Sequence, residues 1–300
     1  MRIGLTIGDP KGIGPEICAA ACAHFAARAD VALTVFGERN CPAATCSDIT
    51  AGQHSADAVR AAVEAIQCGV IDAIVTAPIN KQRWHLAGID APGHTEFLAA
   101  LVNPQAPPAT RMLFIAENMR IALVTTHLPL RNVANAITTE RLHTTIQRTH
   151  DFLRTHCGIA NPRLACLGLN PHAGEGGLLG DEEQRIIIPT LKTLRARGIT
   201  IDGPFPADTF FVHRSARTTH HEPHTTPFDA IIAMYHDQGL IPIKQQSNGL
   251  AVNVTMGLPF IRTSPGHGTA EDIAFNNCAD PQPLIAAIEC AMDLVRTRKP

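Results

Sequence analysis

The chain has 300 residues, 45% apolar and 17% charged, a balance that excludes intrinsic disorder and suggests one large or two modest domains. Its 25 basic and 27 acidic residues leave a net charge of −2, which removes the broad positive field that non-specific nucleic-acid binding requires. Aromatics are scarce, at 11 Phe, 1 Trp and 1 Tyr, so base-stacking platforms are excluded too, and the 15 histidines outnumber them.

Short β-branched runs alternate with helical patterns along the chain, the signature of an α/β protein with largely parallel sheets. In chain order the pattern predicts strand Arg2–Gly8, helix Pro15–Ala29, strand Val31–Gly37, helix Ala56–Gln67, strand Ala73–Ala77 and helix Thr95–Val102. It continues with strands Met112–Ala116 and Ile121–Thr126, helix Thr139–His156, strand Arg163–Leu169, helix Asp181–Arg197, strand Asp229–Met234 and helix Pro283–Arg296. The strands are apolar without alternation, so both faces are expected to be covered by helices. Arg39–Gln53 and His213–Pro227 read as peripheral loops. In the second, His220, His221 and His224 do not form a metal site in this reading, because Pro223 disfavours the helix that would align them. A domain boundary is expected near Asn103–Thr110, from the run NPQAPP.

The 9 cysteines form no CxxC pair. Several, including Cys18, Cys22 and Cys290, lie in Ala-rich helical stretches as small buried hydrophobes, which favours a reducing compartment. The start MRIGLTIGDP reaches turn chemistry too early for a signal peptide, and no apolar run approaches the length of a membrane span. A cytoplasmic protein with no membrane partner is expected.

Three histidines stand at or just past the carboxyl ends of predicted strands: His127 in HLPL, His172 in NPHAGE and His236 in YHDQG. Open α/β sheets bind ligands outside those ends. Three converging imidazoles there would make a divalent-metal site with open positions. Asp237 either joins that shell or orients His236, and Asp208 is either a further ligand or a turn or capping residue. Lys244, Asn253 and Arg262 lie in largely apolar segments, where a lone base meets either an anion or a structural ion-pair partner. His94 and Thr95 open a helix, Thr95 as its cap or as a binding group. The turn from Gly8 to Glu16 lacks the third glycine of the dinucleotide fingerprint. The segment His267, Gly268, Thr269, Ala270, Glu271, Asp272, Ile273 reads as an exposed turn opening a helix whose N–H groups could meet an anion or a nucleotide.

These residues fall in the motifs GDPKGIGPEI, TAPINK, PGHTEF, TTHLPL, GLNPHAGEGG, DGPFPADT, AMYHDQGLIPIK, NVTMGLPFIRTS and HGTAEDIA, in that order from residue 6 to about residue 274. In them the chain closely resembles the 4-hydroxythreonine-4-phosphate dehydrogenase family of vitamin B6 synthesis. The resemblance implies an isocitrate/isopropylmalate dehydrogenase-like fold of two α/β/α sandwich domains with the active site in a cleft between them. The expected domains are 1–105 with 264–300, and 106–263. It implies NAD, or NADP, on His267, Gly268, Thr269, Ala270, Asp272 and Ile273, and one divalent metal (Zn, Mg, Co or Mn) on His127, His172 and His236. His94, Thr95, Lys244, Asn253 and Arg262 are expected to bind substrate, and Lys244, Asp208 and Asp237 to act in catalysis. A homodimer is implied, with metal ligands from both subunits. The implied reaction oxidises 4-phosphooxy-L-threonine to a β-keto acid that loses CO2 to give 3-amino-2-oxopropyl phosphate; the alternative substrate is D-threonate or D-erythronate 4-phosphate. Phe275, Asn276, Asn277 and Cys278 replace the Gly-containing turn that follows the last motif in many members.

Overall fold

The computed structural model describes residues 1–37, 46–117, 119–212 and 228–298. Among them the strands are β1 Arg2–Thr6, β2 Ala32–Phe36, β3 Ala73–Thr76, β4 Arg111–Ala116, β5 Met119–Leu123, β6 Arg163–Leu167, β7 Thr200–Phe205, β8 Ala230–Ala233, β9 Val252–Met256 and β10 Ile261–Ser264. The helices are α1 Gly14–Phe25, α2 Asp48–Gln67, α3 Lys81–Leu86, α4 His94–Val102, α5 Val133–Ala136, α6 Thr139–His156, α7 Ile188–Ala196, α8 Ala207–Phe210, α9 His236–Gln246 and α10 Gln282–Thr297. All the strands expected from sequence are present; β1, β2, β3, β6 and β8 are shorter than expected, because an apolar run continues into the turn that follows it, while β4 and β5 begin one and two residues earlier than expected. The histidine cluster at 220–224 lies outside the described residues.

The chain divides into two compact units, Met1–Thr110 with Leu250–Arg296, and Arg111–Gly249 with Thr297–Pro300. The return to the first unit comes at Leu250, ahead of the 264 read from the sequence, so Asn253 and Arg262 belong to that unit. Its strands run β2-β1-β3-β10-β9, parallel except for β9 against β10. Its core gathers Val59, Val63, Ile74, Phe97, Leu98 and Phe260 around Trp84, whose indole N–H is satisfied by Ser55 Oγ at 2.7 Å. The strands of the second unit run β4-β5-β8-β6-β7, parallel except for β4 against β5. The helix α6 packs a stripe of Leu142, Thr145, Ile146, Thr149, Phe152 and Leu153, and is capped by Thr138, which accepts from Arg141 N–H at 3.2 Å.

Several elements depart from the sequence reading. The strands β7, β9 and β10 were not expected: β7 contains Gly203 and Pro204, β9 holds Asn253, and β10 is four residues long around Arg262. At the end of its sheet, β7 tolerates Pro and Gly that an inner strand would not. The expected loop 39–53 is helical from Asp48, where Ser47 caps α2 by accepting from Thr50 N–H at 3.1 Å. The helix α9 runs through Gly239 and Pro242, two residues that argue against a helix from sequence alone. Cys68, Cys157, Cys166 and Cys278 keep free thiols, whereas Cys46 stands in a disulfide, unlike the reduced state the sequence suggested.

Candidate active site

In the second unit β5, β8 and β6 are neighbours and parallel, so their carboxyl ends share one edge. Pairing continues past the last strand residues: Thr125 donates to the Met234 carbonyl from its N–H (3.1 Å) and from its hydroxyl (2.7 Å). That extension carries the rings of His127 and His236 to a centroid separation of 5.6 Å. His236 opens α9 and its Nδ1–H donates to Asp237 Oδ1 at 2.6 Å, so Asp237 orients the imidazole and leaves Nε2 as its lone-pair atom. Gln238 ties the neighbouring turns together, accepting from Met234 N–H and donating to the Gly168 carbonyl, both at 2.7 Å.

His172 sits in a run of left-handed residues, with φ of 52° at His172, 52° at Ala173, 82° at Gly174, 43° at Glu175 and 67° at Gly176. L-residues reach this region only at a cost of about 1 kcal/mol each, so something must hold the turn. Glu183, at 1% exposure, does so by accepting from Leu169 N–H (2.7 Å), Asn170 N–H (2.8 Å) and Asn170 Nδ2 (2.9 Å). A Cβ on Gly174 would stand 2.7 Å from Glu183 Oε2, so the glycine provides both the left-handed φ and the room for that carboxylate. His172 Nδ1–H donates to Glu175 Oε2 at 2.7 Å, which raises the imidazole pKa above its ordinary value and again leaves Nε2 for a ligand.

His172, Asp208, Tyr235, Asp237 and Gln238 line a cavity of about 590 Å³ within the second unit. Asp208 is exposed in the first turn of α8, where it makes no cap. Lys244 is exposed on α9. Among the described residues no group of three or more His, Cys, Asp or Glu side chains is close enough to hold a metal ion; the chain brings together His127 and His236. Two nearby imidazoles, and two carboxylate-backed Nδ1 atoms, are nonetheless the donor chemistry that a borderline divalent cation takes.

The anion candidates of the first unit are buried and under-satisfied. Arg262 on β10 is 2% exposed; Nη1 donates to Thr255 Oγ1 (3.0 Å) and Nη2 to Thr76 Oγ1 (2.6 Å), while Nε has no partner. Burial holds the guanidinium pKa down to about 10. His94 Nε2, Thr95 Oγ1 and Asn253 Oδ1 are likewise buried without partners. Burial first, then the charges of Arg262 and Lys81, push the His94 pKa well below its ordinary value, so the ring is neutral at pH 7. Thr95 is not the cap of α4: Gly93 occupies that position and no side chain caps it. The hydroxyl is therefore left for a ligand.

The segment from His267 to Ile273 does not open a helix. Residues 271–277 form turns, and α10 begins only at Gln282. The left-handed Ala270, at φ 42°, prevents continuation, so a helix-terminus anion site is not present there. The segment is instead packed on the first βα turn, where Ile13 N–H donates to the Thr269 carbonyl at 3.0 Å. His267 Nε2 is buried without a partner, and Gly268 has nothing within 4 Å of where a Cβ would be. Asp272 is exposed. Sequence reasoning missed Glu183, Glu175 and Gln238, and it missed Arg83, whose three carboxylate partners include Glu271. Polar and charged side chains carry no local mark of such roles in the sequence.

A family model described as pyridoxal phosphate biosynthetic protein PdxA matches residues 18–291. A 4-hydroxythreonine-4-phosphate dehydrogenase of Bradyrhizobium diazoefficiens is 44% identical over 287 residues, covering 94% of this chain and 80% of its own. One from Stutzerimonas stutzeri is 41% identical, covering 97% and 96%. The crystal structure of the Klebsiella pneumoniae 4-hydroxythreonine-4-phosphate dehydrogenase superposes with a TM-score of 0.84 at 35% identity, over 98% of this chain and 99% of that one. An isocitrate dehydrogenase from Methylococcus capsulatus, at 15% identity and a TM-score of 0.52, shares the fold.

Proposed function

The chain belongs to the pyridoxal phosphate biosynthetic protein PdxA family, and from that premise we propose that it oxidises 4-phosphooxy-L-threonine at its C3 hydroxyl with NAD, giving a β-keto acid that decarboxylates to 3-amino-2-oxopropyl phosphate. The observation that carries this reading is the buried set His94, Thr95, Asn253 and Arg262, four groups with polar atoms left unpaired inside the protein. Buried polar atoms are normally satisfied. An anionic, hydroxyl-bearing substrate supplies what these lack: acceptors for Arg262 and Thr95, and donors for Asn253.

The residues divide the work. Arg262 fixes a charged end of the substrate, and neutral His94 bonds it without adding charge. Lys244 and Asp208 are assigned to the second anionic end and to the hydroxyl proton, and Asp237 keeps His236 aligned. His127, His172 and His236 are the residues that would hold a divalent cation, Zn, Mg, Co or Mn. The loop residues His267, Gly268, Thr269, Ala270, Asp272 and Ile273 would receive NAD or NADP. When bound, these groups supply Lewis-acid stabilisation of negative charge on substrate oxygen and a hydride acceptor. Holding the reactants in fixed orientation is the protein's larger contribution.

A homodimer belongs to the same reading. Leu178 is 84% exposed, Leu130 73% and Ile241 64%, each within a few residues of one of the three histidines. Large apolar side chains left in water beside a site favour a covering partner, here a second copy that completes the metal shell. The test is a spectrophotometric NADH assay of 4-phosphooxy-L-threonine beside D-threonate and D-erythronate 4-phosphates, with and without chelator. Turnover of the first substrate that is lost on chelation and restored by a divalent cation is expected. Activity that survives rigorous metal removal refutes the histidine assignment, and preference for either sugar-acid phosphate shifts the substrate.

A further inference from the structure

Arg83, on α3, has a side chain only 10% exposed, yet all three nitrogens of its guanidinium meet carboxylates. Nε donates to Asp48 Oδ1 at 2.9 Å, Nη1 to Asp9 Oδ2 at 2.8 Å and Glu271 Oε1 at 2.9 Å, and Nη2 to Glu271 Oε2 at 2.7 Å. Glu271 receives the two-pronged pairing that only a guanidinium offers. Asn80 adds a bond to Glu271 Oε1 at 2.8 Å, and Asn80 Oδ1 also accepts from Arg83 N–H, fixing the start of α3. The Arg83 backbone is held as well, because α2 at Gly52 packs on the Arg83 carbonyl so closely that a Cβ there would overlap it.

On the other side of this pair is the segment that follows β10. It has no helix of its own, it carries a left-handed alanine, and its backbone tie to the first βα turn is the Thr269 carbonyl. Glu271 is its side-chain anchor, and Thr269 Oγ1 donates to the same carboxylate oxygen at 3.3 Å, so the anchor also orders the residue two positions earlier. We propose that Arg83 and Glu271 are a positioning pair that latches the His267–Ile273 loop in the shape that receives the dinucleotide. The proposal rests on the reading of that loop as the cofactor segment. The latch is closed throughout neutral pH: Arg83 keeps its proton, since burial, the largest influence, is outweighed by Glu271, Asp9 and Asp48 together, and Arg83 holds the Glu271 carboxyl below its ordinary range.

The experiment compares wild type, Glu271→Gln, Arg83→Lys and Gly268→Val as full-length protein. NADH affinity is read by fluorescence titration, substrate affinity by calorimetry and folding by thermal melting. Glu271→Gln keeps the side-chain shape and removes the charge, and NADH should bind about 5- to 30-fold more weakly, the loss expected of one charge-assisted pair. Substrate affinity should stay at wild type. Arg83→Lys should give a similar NADH loss, and the double variant should be no worse than the weaker single one. Gly268→Val tests the underlying reading, because a Cβ at that position meets nothing within 4 Å in the protein, so the larger side chain is expected to obstruct a bound dinucleotide. If Gly268→Val weakens NADH binding and a folded Glu271→Gln does not, the latch is refuted while the loop assignment stands. If Gly268→Val leaves NADH affinity unchanged, the loop assignment falls and the latch falls with it.

Discussion

Replacing Arg262 by methionine separates a functional from a structural role for the most deeply buried cation of the proposed site. Burial brings the guanidinium from its ordinary range to about 10. At about 1.4 kcal/mol per pH unit, that depression amounts to roughly 3 kcal/mol against the charged form. The bonds to Thr76 and Thr255 return about 1 kcal/mol each, so the charge costs the ligand-free protein about 1 kcal/mol net. Arg262→Met fills a similar volume without the charge and should leave the melting temperature unchanged or raise it by about 2–4 °C. Catalysis should behave in the opposite way. Removing one partner of a buried, hydrogen-bonded ion pair costs about 2–5 kcal/mol, or at least about 30-fold in kcat/KM. The assay pairs thermal melting, with and without substrate, with steady-state kinetics. Wild type should gain about 2.7 kcal/mol at substrate a hundred times its Kd, and the variant far less. A variant that melts well below wild type while keeping its kcat/KM refutes the argument.

The buried His94 makes stability depend on pH in a stated direction. Its folded pKa lies below the unfolded value, so the unfolded chain binds the extra proton, and its stabilising contribution is present above about pH 6.5 and lost as pH falls below it. Melting temperatures of His94→Asn should therefore show a shallower decline between about pH 7 and pH 5 than wild type, and identical slopes would show that the ring titrates freely. Glu183→Ala leaves buried N–H groups of the His172 turn unpaired and should cost about 3 kcal/mol in urea unfolding. His172→Ala removes a side chain that is 62% exposed and should cost less than about 0.5 kcal/mol while abolishing tight divalent-cation binding. Calorimetry showing wild-type cation affinity in that variant would make the histidine structural.

Sequence pattern exposed the strands because a buried parallel strand is a continuous apolar run, and β1, β3, β6 and β8 are that. It also placed His127 and His236 beyond the carboxyl ends of two strands that are parallel neighbours, although β5 and β8 end at Leu123 and Ala233, earlier than expected. Strands β9 and β10 were not visible, because each trades apolar character for a residue of the site, Asn253 or Arg262, and α9 was hidden by Gly239 and Pro242. The absent helix after His267 is a related failure. The segment has helical composition, but Glu271 is held by Arg83, a residue 188 positions away. Ties of that sequence separation leave no local periodicity, so the ionic network and the Glu183 brace emerge only from the folded chain.

The first unit has a consequence for synthesis. Its strand β3 is flanked on one side by β1, available within the first 110 residues, and on the other by β10, which the ribosome delivers only near residue 264. At about 5–20 residues per second, roughly 150 further residues keep that half of the chain waiting about 8–30 s with one backbone edge unpaired. The second unit is continuous from Arg111 to Gly249 apart from its last few residues, so it can finish first. The chain's nascent hazard is therefore concentrated at the apolar edge of β3, where Ile74 and Val75 stand ready to pair with any strand that arrives before β10.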